Sequence, residues 1–208
     1  MASKVRDKIV GAALDRFHAL GFNACGVQEI VDKARVPKGS FYNYFKSKEL
    51  LALEVLEIYT KGTGMEILSD KSIAPLQRLQ KHFEFMASRS AKFGYSKGCL
   101  FGNFAAEASN TVPLLREALA RRLAEWTSLI AAVIRDGQAD GSIAPQLDAD
   151  QVARFLINGW QGAIMRNKIA NSREPLNDFF AFVFPLLEGS GASAVSVRRK
   201  TPRSRASA

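Results

Sequence analysis

Cysteine and histidine are scarce in this chain, which has two of each among 208 residues: Cys25, Cys99, His18 and His82. Two cysteines are too few for the disulfide framework of a small exported domain, and they have no zinc-ligand spacing. Two histidines cannot supply the paired Glu-x-x-His sets of a di-iron bundle; Asp15 stands three residues before His18, but there is no second set. A P-loop, a nucleotide-binding glycine run and a Gly-x-Ser-x-Gly elbow are also missing. A helical-bundle enzyme therefore stands only as a rival reading, which measurable turnover would revive; no catalytic residue, metal set or cofactor is expected. No apolar run approaches the roughly 18 residues of a membrane span. The stretch MASKVRDKIV has no signal-peptide core. A cytoplasmic location without a membrane partner is the expectation.

What is present is an ordinary globular composition, 47% apolar and 24% charged, with an uneven charge distribution. Residues 1–50 carry 9 basic and 5 acidic side chains, residues 51–188 carry 15 of each, and residues 189–208 carry 5 basic and none acidic. The formal charge of +9 thus sits at the two ends of a neutral body. A basic end suggests a polyanion partner, although solubility charge alone would look the same.

No strand alternation is visible, and helical spacing recurs throughout. Ile9, Val10, Ala13, Leu14, Phe17 and Leu20 mark one face of a first helix, which Gly21 closes. Val27, Ile30, Val31 and Ala34 mark a short second helix, Arg35-Val36-Pro37 a turn, and VPKGSFYNYFKSKELL contains a third. Further helices are expected at 48–69, capped by Ser47, and at 74–92, 98–109, 112–138, 149–170 and 175–187. Thr111 and Asp148 are read as caps, Asp140-Gly141 as a stop and Pro175 as a start. The fold class is all-α, with about nine helices. The Ser/Ala/Arg-rich segment 189–208 reads as a disordered basic tail.

Residues 27–45 read helix, tight turn, short helix, the spacing of a helix-turn-helix. Helical geometry turns Phe41 and Phe45 toward the core, and Tyr42 and Asn43 away from it. An outward ring can pack on a thymine methyl or a sugar, and an amide can read a base edge. Gly39 permits close approach to a phosphate, and Lys38 and Lys48 add charge beside the backbone of a duplex. Tyr44 can equally be a half-buried core ring.

The segment GFNACGVQEIVDKARVPKGSFYNYFKSKELL resembles the DNA-binding segment of TetR-family transcriptional regulators. The likeness rests on the Gly-Phe after the first helix, the apolar positions of the second, the Lys-Gly-Ser start of the third and the Phe-Tyr-x-Tyr-Phe-x-x-Lys run. It implies three DNA-binding helices (1–47) and a larger helical body (48–188) that binds an effector and dimerises. Carried over by position, the DNA contacts are Gln28, Lys38, Gly39, Ser40, Tyr42, Asn43, Tyr44 and Lys48. Family members often have Thr or Ser where this chain has Cys25 and Gly26, so a phosphate contact there is in doubt. The implied protein is a repressor, released from a palindromic double-stranded operator by an inducer.

In the body, Val152, Phe155, Leu156, Gly159, Trp160, Ala163, Ile164 and Asn167 recur at helical spacing, as do Leu176, Phe179, Phe180, Val183, Leu186 and Leu187. The resemblance implies that these last two helices form a homodimer interface; an internal core is the alternative. YSKGCLFGNFAAEAS is similar to the Gly-Cys-Leu segment of a TetR subgroup that includes the N-ethylmaleimide reductase repressor, and MRNKIANSREPL is similar to another part of it. That likeness makes Cys99 a candidate sensor of electrophiles or oxidants, with Lys168 as a possible neighbour. A helix start and Lys97 nearby would favour the thiolate. A buried small apolar side chain is the alternative for Cys99. Phe101, Phe104, Trp126 and Trp160 either line an effector pocket or belong to plain core. A non-specific DNA-organising protein gripping through Arg198, Arg199, Lys200, Arg203 and Arg205 is a second rival.

Overall fold

The computed structural model describes residues 2–108 and 110–188, and the basic tail of the sequence reading lies outside them. Within the described residues the chain forms ten helices. They are α1 (Ala2–Leu20), α2 (Val27–Ala34), α3 (Lys38–Tyr44), α4 (Lys48–Lys61), α5 (Met65–Ser69), α6 (Pro75–Lys92), α7 (Leu100–Ala108), α8 (Pro113–Asp140), α9 (Ala149–Ala170) and α10 (Glu174–Leu187).

Helix α1 buries Ile9, Ala13 and Phe17, one side chain per turn. Gly21 ends it at φ +85°, its N–H donating to Phe17 O at 2.9 Å. A Cβ at Gly21 would also strike the Glu107 carboxylate, so both backbone and packing require glycine there. Helix α2 ends at Arg35 in the left-handed region, and Pro37 is the N-cap of α3. Ser47 caps α4 by accepting from Leu50 N–H at 3.3 Å. Asp148 caps α9 by accepting from Gln151 N–H at 2.7 Å.

Three local expectations are corrected. The helix expected over 48–69 is two helices, because the chain breaks at Gly62-Thr63-Gly64, where Gly64 takes φ +73°. The next helix begins at Leu100, since Gly98 at φ +71° cannot continue a right-handed turn. Thr111 is not a cap: Val112 holds that position without a side-chain bond, and the Thr111 and Val112 N–H groups both donate to Ala108 O.

Helix α4 links the two ends of the molecule, packing on α1 at one side and on α8 at the other. Helix α8 is the spine of the body, with α6 and α9 against it and α10 against α9. The buried Arg78 guanidinium ties α5 to α8, donating to Leu68 O at 3.2 Å and to Asp136 at 2.8 Å. One continuous apolar core runs from Ile9 and Phe17 through Leu51 and Val55 to Trp126, Trp160 and Phe179. No described helix is long and apolar enough to cross a membrane.

Candidate nucleic-acid interface and effector pocket

The amino-terminal helices hold one face inward and leave the other open. Phe41 and Phe45 are buried, their rings 5.8 Å apart, and the Arg6 guanidinium lies over Phe45. On the opposite side Tyr42 is 57% exposed and Asn43 is exposed with it. Lys38 and Gly39 are exposed at the start of α3, and a Cβ built on Gly39 meets nothing within 4 Å. Glycine in a helix costs up to about 1 kcal/mol relative to alanine, and no neighbouring atom requires it here. Ser40 and Tyr44 are half-buried, and Tyr44 packs on the core. Gln28 is exposed and donates to Asp32 at 2.8 Å.

Lys48 has an internal role that the sequence did not reveal. Its ammonium donates to Phe22 O at 2.9 Å and lies 4.1 Å from the centre of the Phe22 ring, fastening α4 to the α1–α2 turn. Gly26 is the N-cap of α2 and makes no side-chain bond, as the absence of a hydroxyl dictates. Cys25 is fully buried, and burial above all pushes its thiol up to about 11.

The second site is a cavity in the body, walled by α4, α6, α8 and α9 and by the turn before α7. Phe101, Trp126 and Trp160 line it, and so do Cys99, His18 and Arg89. Its free volume is about 30 Å³, on the scale of a water molecule's share of the liquid. Phe104 does not line it; its ring packs against Phe17 and Phe22, between α1 and α7. Lys168 does not line it either. It is exposed, with its stem passing Gly98, where a Cβ would lie 3.3 Å from Lys168 Cδ.

Cys99 is 9% exposed and immediately precedes α7, its carbonyl accepting from Asn103 N–H at 2.9 Å. Gln161 Nε2 donates to its sulfur at 3.4 Å and the Tyr59 hydroxyl at 3.8 Å. Burial raises the Tyr59 phenol, and the neighbouring Cys99 adds to this. Lys97 does not serve the cysteine: its ammonium pairs with Asp15 at 2.6 Å, which holds that carboxyl below its usual range.

Two histidines organise the pocket, a role with no local signal along the chain. His82 is fully buried, its Nδ1 2.9 Å from Gly64 O and its Nε2 accepting from Trp126 Nε1–H at 2.9 Å. The neutral tautomer with the proton on Nδ1 satisfies both partners. Desolvation lowers its pKa to about 4. His18 Nε2 stands 2.9 Å from Gly98 O, joining the end of α1 to the turn that carries Cys99. Asn103 Nδ2 reinforces that joint by donating to His18 O at 3.3 Å and Lys97 O at 3.0 Å. Glu107 on α7 accepts from Asn23 N–H at 2.9 Å. Among the described residues no cluster of three or more His, Cys, Asp or Glu could hold a metal ion.

Residues 9–55 match the profile of bacterial regulatory proteins of the tetR family, and residues 75–183 match the tetracyclin repressor-like C-terminal domain. The chain is 39% identical to the HTH-type transcriptional repressor DhaR of Mycobacterium sp. (strain GP1), over 88% of this chain and 92% of that protein. It is 28% identical to the HTH-type transcriptional repressor NemR of Escherichia coli (strain K12), over 78% of this chain and 83% of that one. A regulatory protein TetR from Rhodobacter sphaeroides, known from its crystal structure, superposes with a TM-score of 0.83 at 32% identity, covering 88% of this chain and 98% of that one. An exposed short helix in a helix-turn-helix, a separate cavity in an all-helical body and these likenesses along the chain have one meaning: the protein belongs to the TetR family of bacterial regulatory proteins and is a DNA-binding transcriptional regulator, not an enzyme.

Proposed function

We propose that the protein is a cytoplasmic, homodimeric repressor that holds a palindromic operator until a small-molecule or thiol-reactive inducer reaches the cavity beside Cys99. The outward face of α3 carries this reading. Tyr42 and Asn43 project into solvent, the Tyr42 ring edge-on to buried Phe41 and still 57% exposed, behind a glycine with open space around it. Lys38, Gly39, Tyr42 and Asn43 are the principal contacts. Gln28, Ser40 and Tyr44 flank them, and Lys48 acts through the turn it fastens as well as through its charge. Two such helices would enter successive major grooves about 34–36 Å apart. The division of labour falls near Ser47, with the DNA-reading helices before it and the effector-binding, dimerising body after it.

Dimerisation is assigned to α9 and α10. Phe155, Met165 and Ile169 form one exposed apolar stripe on α9, with Ile169 79% exposed, and Phe182 and Leu186 form another on α10. Gly162 lies within the first stripe, and a Cβ there would meet open space. A helix of a second copy can come close at that point. Ile169→Glu should shift the sedimenting species to a monomer; a stable dimer would move the interface elsewhere.

The inducer reading follows the joints between the cavity and α1. Alkylation or oxidation of Cys99 displaces the turn that bears Gly98, and Gly98 is bonded directly to His18 at the end of α1. Helices α2 and α3 hang from that end. A shift there changes the spacing of the two recognition helices, and inducer binding and operator binding then oppose each other as one coupling free energy. The resemblance of the Gly-Cys-Leu segment to the N-ethylmaleimide reductase repressor subgroup supports cysteine chemistry at this position. Gel-shift with the DNA flanking its own gene, with and without a quinone or an enal, tests the whole reading. Cys99→Ser should bind the operator and resist release. Unchanged release by the reagent would exclude Cys99, and failure of the wild-type protein to bind any flanking site would exclude the repressor.

A further inference from the structure

The donors that line the cavity differ in one respect, which is whether the protein already supplies their acceptor. The Thr63 hydroxyl donates to Thr60 O at 2.7 Å, the Ser90 hydroxyl to Asn167 Oδ1 at 2.9 Å, and the Trp126 indole N–H to His82. Tyr59 donates to the Cys99 sulfur, and His18 faces Gly98 O. Two nitrogen donors remain. The Arg89 guanidinium and the Trp160 indole N–H have no hydrogen-bond acceptor among the described residues, and both belong to the cavity wall. Trp160 is 1% exposed. Neither is among the sealed nitrogens without a partner, which are Arg16 Nε and Arg78 Nε, so both stay reachable and can donate to a molecule that enters the cavity.

Arg89 is also placed with care. It is half-buried, its guanidinium carbon 5.4 Å from the centre of the Tyr59 ring. Gly62 makes room for it, since a Cβ there would come within 2.6 Å of Nη1. Arg6, Arg78, Arg122 and Arg135 each pair with a carboxylate; among the described residues Arg89 has none within 4 Å, and no Asp or Glu lines the cavity. The surroundings are cationic as well. After burial, which depresses the His18 imidazole most, the charges of Lys97, Arg89 and Lys168 all push it further down. Among the described residues the ion-pair partner of Lys97 is Asp15, which is on the α1 side and is shared with Lys33.

We infer that the cavity binds a small organic carboxylate, with the Arg89 guanidinium receiving the carboxylate and the Phe93, Phe101, Trp126 and Trp160 rings enclosing its apolar remainder. The planar fork of arginine matches two carboxylate oxygens, and the low polarity of the walls strengthens that pair. Inorganic phosphate offers the same charge but no apolar part, and would lose its hydration against aromatic rings. A free space of about 30 Å³ is smaller than a short-chain acid or a single ring, so binding requires Phe93, which is exposed beside the cavity, to swing aside.

This inference rests on the cavity being the effector site, and the experiment separates the two. Calorimetry without DNA compares butyrate with butyramide and benzoate with benzamide on the wild-type protein, with inorganic phosphate as a third arm. The acids should bind at least tenfold tighter than their amides, and phosphate should not compete. Arg89→Gln should lose that tenfold preference and Arg89→Lys should keep part of it, while both retain operator affinity in gel-shift. Equal binding of acid and amide, stronger binding of phosphate, or an unaltered preference in Arg89→Gln would overturn the anion site. Should Arg89→Gln fail to fold, the acid and amide comparison on the wild-type protein still decides. Carboxylate binding that leaves the operator complex intact would keep the anion site and overturn the effector reading instead.

Discussion

The two ends of this molecule manage polar groups in opposite ways. On α3, Tyr42, Asn43 and Lys38 project from a short helix whose buried side is almost wholly aromatic, and their chemistry is left for something outside. In the body, the polar groups of the cavity face one another: His82 with Gly64 and Trp126, Ser90 with Asn167, His18 with Gly98. Among the described residues that line the cavity, Arg89 and Trp160 depart from that inward pairing. A surface that reads a polymer must offer donors and rings without prior partners. A pocket buried in a core must satisfy almost all of its own and leave open only the few that select a ligand.

That contrast can be broken most severely from beneath the reading face. Phe41 is fully buried and supports both α3 and its neighbours. Phe41→Ala should cost about 3–5 kcal/mol of stability, read from the denaturant midpoint, and abolish operator binding with it. A small loss would mean that α3 is not held by its apolar side.

The body should respond to acid through His82. Its folded pKa of about 4 lies below the ordinary histidine value of 6.5, so the unfolded chain binds the proton more readily. Stability is therefore complete above pH 6.5 and falls as pH drops from there toward 4, by up to about 3 kcal/mol. Asp15, whose pKa is lowered chiefly by its bond to Lys97, adds a further loss below the ordinary aspartate value of 3.8. Chemical denaturation between pH 7 and 4 checks the histidine part, and His82→Gln should flatten the slope. An equally steep slope in that variant would assign the loss to other groups.

Tyr42→Ala should be the mirror image of a core change. Operator affinity should fall by about 1–3 kcal/mol while the melting temperature stays where it is. A matching loss of stability would place Tyr42 in the fold rather than at the interface. The smallest effect sharpens the comparison most. Gly39→Ala should raise stability by a few tenths to about 1 kcal/mol, since the new methyl meets only open space, and should weaken operator binding. A variant that gains both would show that nothing approaches Gly39 closely.

The outward placement of Tyr42 and Asn43 was legible from the chain, because rings and amides stand where helical spacing turns a residue away from the core, behind a helix-weakening glycine. The capping roles of Ser47 and Asp148 were legible for the same reason, being local bonds over three residues. The break at Gly62-Thr63-Gly64 was not, since apolar spacing continues across it, and what stabilises the break is the distant His82 ring. Lys97 looked like a companion for Cys99 by proximity along the chain, but its charge is taken by Asp15 on α1. Lys48 looked purely outward, yet it fastens Phe22.

The sequence by itself determined an all-helical protein with a helix-turn-helix whose last helix turns Lys38, Tyr42 and Asn43 outward, because helical periodicity and turn chemistry are properties of neighbours along the chain. Only the tertiary structure decided that Cys99, His18, Arg89, Trp126 and Trp160 share one cavity, and which of their donors are left open. These residues come from separate helices, and whether a polar group already has a partner depends on distances between helices that no stretch of sequence encodes.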